Sequence, residues 1–145
     1  MSSIGQPLPR RVGRVLLGAF LTLAGVSHLV NPGPFEAQVP PWFPAPAATI
    51  LVSGLVEICL GVALLVVRRR RAAVGWVVAG FFVAIFPGNV SQFLTGTDAF
   101  GLDSDLARAV RLVFQPVLVV WALWCTGAWS QWSARRARGR GPTTS

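Results

Sequence analysis

The sequence predicts an all-α membrane protein: a four-transmembrane-helix, up-down-up-down bundle with both termini inside. Three observations carry this expectation. First, 53% of the 145 residues are hydrophobic and only 12% are charged, against about 25% charged in soluble domains. Second, the apolar residues fall into four blocks of about 20 residues, the length that crosses a bilayer. Third, the charges are segregated. All basic residues are arginine, and Arg10, Arg11, Arg14, Arg68 to Arg71, Arg135, Arg136, Arg138 and Arg140 flank the blocks on one side. The other two connections hold Glu36, Asp98, Asp103 and Asp105 and no arginine. Positive residues mark the cytoplasmic side, so the chain is expected in the cell membrane as a multi-pass protein with cytoplasmic termini. This segregation accounts for the net charge of +8, and nucleic acid is not expected as a partner.

Residues 1–11 read as a disordered cytoplasmic tail, followed by a transmembrane domain over 12–129. The start resembles a signal peptide, but no clean small-x-small cleavage site follows, so the first helix is expected to be retained. That helix is predicted over 12–30 and is stopped by Asn31-Pro32-Gly33-Pro34. The connection 31–46 carries Phe35, Trp42, Phe43 and six of the 11 prolines. It reads as a stiff interfacial segment, either a plain connector or a lid over the bundle. The second helix is predicted over 47–67, ending at the arginine run. The third covers 72–93 and contains Pro87; the fourth covers 108–129 and contains Pro116. Each proline is expected to kink its helix unless neighbours satisfy the freed carbonyl. Residues 130–145 read as a basic, disordered cytoplasmic tail.

Polar groups inside apolar helices are costly and mark function or interhelical partners. Glu57 stands near the centre of the second helix, beside small Ser53, Gly54 and Gly61. It must be held protonated or paired with a cation. Arg111 on the fourth helix is the expected cation, with Gln115 one turn deeper on the same face. Asn89, and near it Gln92, lie in the outer third of the third helix. His28 ends the first helix on the stripe Gly18, Thr22, Gly25. The candidate site is therefore Glu57 as the catalytic group, with His28, Asn89, Arg111 and Gln115 binding substrate in the outer half of the bundle. Cys59 and Cys125 form no C-x-x-C pair and read as structural. No haem-attachment, zinc, P-loop or dinucleotide motif is present, so no metal site and no cofactor within the chain are expected.

These residues resemble the DoxX family of small four-helix integral membrane proteins. The matching stretches are Gly25-Val-Ser-His28 with Pro32 to Glu36, Val39-Pro-Pro-Trp-Phe-Pro44, Ser53-Gly54 to Glu57, Phe86-Pro87-Gly88-Asn89 and Arg111-Leu-Val-Phe-Gln115. They span about residues 14–128. Two positions depart from the pattern: similar proteins often have Ala at Gly88 and Pro at Val113. The resemblance implies a subunit of a membrane redox system, named for thiosulfate- or quinol-oxidising complexes.

The leading expectation is a quinone-linked oxidoreductase subunit that binds quinone, or a small sulfur substrate, and needs a soluble or membrane redox partner. Arg111, Asn89, Gln115 and His28 would donate hydrogen bonds to the substrate, and Glu57 would relay a proton. The alternatives are a non-catalytic membrane scaffold, in which the polar groups hold helices together, and a small proton-coupled transporter. A homo-oligomer is compatible with each, and the lipid bilayer is the partner common to all.

Overall fold

The computed structural model describes residues 6–96 and 104–139. It is all-helical, with α1 Leu8–Val30, α2 Gly33–Glu36, α3 Pro46–Val66, α4 Arg71–Thr95, α5 Asp105–Thr126 and α6 Ala128–Gly139. Four of these, α1, α3, α4 and α5, are long and apolar enough to cross a membrane.

Local chemistry sets the helix ends. Pro9 and Pro46 stand in the first turns of α1 and α3, where a missing N–H costs nothing. α1 closes before Pro32, which disfavours a helical residue ahead of it. Ser104 caps α5, its hydroxyl accepting from the Ala107 N–H at 3.2 Å. Gly96 and Gly127 end α4 and α5 in the left-handed region, at φ 64° and 75°, where glycine carries no Cβ penalty. α4 and α5 remain helical through Pro87 and Pro116.

Two spans differ from the sequence expectation. α1 begins at Leu8 rather than at residue 12, because a proline in the first turn is compatible with helix. α5 ends at Thr126 rather than at 129, and α6 carries the chain as helix through 130–139, where the composition predicts a disordered tail. Ala128, Trp129, Trp132, Ala134 and Ala137 supply helix formers and an apolar stripe there, and Ala128 is fully buried. The expected tail residues 1–5 and 140–145, and Asp98 and Asp103 between α4 and α5, lie outside the described residues.

Packing pairs α1 with α3 and α4 with α5, with further contacts of α1 on α5 and α3 on α4. The core is built from Leu17, Leu21, Leu64, Val78, Phe82, Leu118, Ala122 and Cys125. The outward surface is apolar as well: Leu23, Val52, Val83 and Val120, one from each long helix, are 68%, 59%, 61% and 66% exposed. Such a shell opposes solubility in water and suits hydrocarbon. At the α1–α3 contact the two backbones approach closely. A Cβ placed on Gly25 would lie 2.5 Å from the Gly54 carbonyl oxygen, and one on Gly54 would lie 2.7 Å from the Cβ of His28. Small residues at these positions let two backbones touch. That contact brings the ends of two polar side chains together.

Candidate functional site

A side chain on a helix leans toward its own N-terminus. α1 and α3 run past each other in opposite register, with Gly18 against Gly61 and Gly25 against Gly54. His28 therefore leans inward from the end of α1, and Glu57 leans outward from the middle of α3. They meet with His28 Nδ1 3.1 Å from Glu57 Oε2. Both residues are buried, at 8% and 5% exposure.

The hydrogen-bond accounting at this pair is incomplete. Nδ1 also faces the Ala24 carbonyl oxygen at 2.8 Å. A ring nitrogen carries at most one hydrogen, and with that hydrogen directed at Ala24 the Glu57 Oε2 is left with no hydrogen-bond partner. A buried carboxylate oxygen in that state has an open acceptor position. A proton fills it, or a donor arriving on a ligand.

The amides of α4 and α5 form a separate pair. Asn89 Nδ2 donates to Gln115 Oε1 at 3.0 Å, and Gln115 Nε2 donates to the Phe82 carbonyl oxygen at 2.7 Å. This chain of bonds joins α4 to α5. Arg111 is half-buried and is not the cation of Glu57. Its Nη2 donates to Gln38 Oε1 in the connection after α2, and the basic side chain within ion-pair distance of Glu57 is His28 instead. The physical reason lies in depth: Glu57 reaches the end of α1, while Arg111 stands near the start of α5, where the connection 37–45 passes. Gln92 is 2% exposed, more deeply buried than Asn89.

The connection between α1 and α3 touches both halves of the zone. Phe35 of α2 lies on the His28 ring, with centroids 3.7 Å apart and planes 32° apart. Gln38, which holds Arg111, donates its own Nε2 to the Pro34 carbonyl at 3.1 Å. Beside this, an open groove of about 420 Å³ is lined by Val26, Ser27, Val30, Asn31 and Phe35. This groove opens on the flank of α1 and α2.

Reading the sequence missed two residues. Gln38 lies in a proline-rich connection, where no periodicity points to it. Arg14 was read only as a topology signal, yet it is 6% exposed and its Nη1 donates to the Leu64 carbonyl at the end of α3. Its signal was available: Arg14, Gly18, Leu21, Gly25 and His28 fall at helical spacing on one face. Cys59 and Cys125 are both free thiols, and no cluster of three metal-ligating side chains occurs among the described residues.

Four long apolar helices with ionisable and amide side chains buried between them define the class: an all-helical protein of the kind built to lie in a membrane. Residues 17–126 match the family model described as a domain of unknown function, DUF8561. That stretch is most of the chain, which therefore belongs to this family. No curated protein and no solved structure matches it.

Proposed function

We propose that this protein is a DoxX-like subunit of a membrane redox system, and that the His28–Glu57 pair receives the hydroxyl proton of a quinol or the thiol proton of a small sulfur compound. The observation that carries the reading is the buried Glu57 Oε2, 3.1 Å from His28 Nδ1 and left without a hydrogen-bond partner when the hydrogen on that nitrogen is directed at the Ala24 carbonyl. A membrane protein that only needed its helices held together would use amides, as it does at Asn89 and Gln115. A carboxylate is far more expensive at that depth, so its retention argues for proton chemistry.

A quinol O–H is the donor this oxygen lacks. Oxidation of the quinol releases two protons and two electrons. Glu57 takes one proton, and the neighbouring imidazole of His28 takes the other. The electrons pass to a partner protein. The groove over Val26, Val30 and Phe35 leads the ring from the lipid toward His28, and its volume falls in the range of about 300–1,000 Å³ usual for small-molecule sites. Arg111, held by Gln38, supplies a donor for the far carbonyl.

In this reading the chain is an up-down-up-down bundle in a bacterial inner membrane. Both termini are cytoplasmic, as the arginine distribution requires, and the redox site faces the outer leaflet.

One observation favours a second reading, a scaffold. Asn89, Gln115 and the Phe82 carbonyl satisfy one another, so these amides serve as interhelical glue, and Glu57 with His28 would then do the same. A solvent extract of the gently purified protein, analysed for quinone by chromatography and mass, separates the two. Near-stoichiometric quinone supports the redox subunit. No quinone, with added quinone also failing to bind in lipid nanodiscs, supports the scaffold.

A further inference from the structure

We propose that α6, together with the arginines of the same end of the bundle, forms a binding surface for the phosphate headgroups of anionic phospholipids. The surface is independent of the His28–Glu57 site, which lies at the opposite end of the long helices.

The placement comes from the turn before it. Gly127 closes α5 in the left-handed region, at φ 75°, so the chain leaves the axis of α5. α6 then packs against both α4 and α5, with Ala128 fully buried. Arg10 at the start of α1 reaches it, Nη1 donating to Ser130 Oγ at 3.3 Å. The helix is thereby fixed to the end of the bundle where α1 and α4 begin and α3 ends.

Its outward face combines two chemistries. Trp129 and Trp132 are 58% and 37% exposed, with ring centroids 5.6 Å apart. Indole rings settle at the headgroup level, where an apolar body and a polar N–H are both satisfied. One turn on, the Arg136 guanidinium lies 4.0 Å from the centroid of the Trp132 ring. Positions 129, 132 and 136 share one helical face, so the arginine is held at the depth of the tryptophans. A guanidinium over an indole face can still offer N–H groups to an oxyanion. Arg135 and Arg138 are exposed on the same helix, as are Arg68, Arg69 and Arg70 in the turn between α3 and α4.

Among the described residues, no acidic side chain stands in α6 or in the 68–71 run: Glu36, Glu57 and Asp105 belong to α2, α3 and the start of α5. A dense positive surface with tryptophans beside it is complementary to lipid phosphate carrying net negative charge.

The test uses the full chain in nanodiscs and in mild detergent. Lipid retained after detergent exchange is measured by native mass spectrometry, from mixtures of phosphatidylglycerol and phosphatidylcholine. The wild type is expected to retain phosphatidylglycerol preferentially. Loss of about fivefold in preference is expected for each arginine removed, so R135Q/R136Q/R138Q should lose about a hundredfold. Trp132→Leu leaves the charge unchanged and should still lose several-fold, because the stack that positions Arg136 is gone. Arg136→Lys keeps the charge and should fall between the wild type and Arg136→Gln. Equal retention of the two lipids by the wild type would overturn the proposal. So would a Trp132→Leu variant with unchanged preference, which would show a diffuse charge effect, or displacement of the lipid by a DNA duplex at equal phosphate concentration.

Discussion

Glu57 and Gln115 show how differently two buried polar residues can be employed. Gln115 is engaged at both ends of its amide: it accepts from Asn89 and donates to the Phe82 carbonyl. Interhelical hydrogen bonds in membranes average about 0.6 kcal/mol each. Gln115→Leu should therefore lower stability by about 1 kcal/mol in thermal denaturation, while quinone binding persists. Glu57 is the reverse case. Its Oε2 holds no hydrogen bond, so Glu57→Gln should shift stability by less than about 1 kcal/mol and remove the proton acceptor. A Glu57→Gln variant that unfolds would show instead that the carboxylate is structural. At this scale the sequence was informative about which residues are special and silent about who meets whom. Glu57, His28, Asn89 and Gln115 stand out as polar groups in apolar helices. That Glu57 pairs with His28 rather than Arg111 depends on the relative depth of three helices, which no local spacing encodes. Gln38 was invisible for the same reason, since it is defined only by the arginine it reaches.

Among the elements, the α1–α3 contact positions the site. Gly25 and Gly54 allow the backbones to meet, and a side chain at either position would strike backbone or the His28 Cβ. Overpacking of this kind costs about 1–3 kcal/mol. Gly54→Leu should lower the melting temperature and also move His28 away from Glu57, so quinone binding should fall with it. Gly80 on α4 is the matched control, because a Cβ there meets nothing within 4 Å. Gly80→Ala should raise stability by about 0.5–1 kcal/mol and leave binding unchanged. Elements with a strong apolar pattern were readable from the sequence, and the four long helices begin and end within a few residues of expectation. α6 was not, because three arginines, two serines and a glutamine among its 12 residues hide an apolar pattern. Its helical character rests on three alanines and on two tryptophans three residues apart, held against the bundle by tertiary contacts that composition does not register.

For the whole molecule, the account places α6 in the cytoplasm and the α1–α3 connection on the other side. Single-cysteine variants test this once Cys59 and Cys125 are replaced. A thiol at Ser133→Cys should react with a membrane-impermeant reagent only when the cytoplasmic face is opened. Asn31→Cys, exposed beside α2, should react in intact cells. The reverse pattern would invert the bundle and place the proton site near the cytoplasm. The central claim is that Glu57 serves a ligand rather than the fold. The most direct measurement is a quinol-binding titration in lipid nanodiscs, wild type beside Glu57→Gln, with thermal stability followed on the same samples. The account predicts saturable binding by the wild type and at least tenfold weaker binding by the variant at nearly equal stability, the loss expected when about 1.4 kcal/mol of hydrogen bonding to a charged group is removed. Equal binding by both, or none by either, would contradict it.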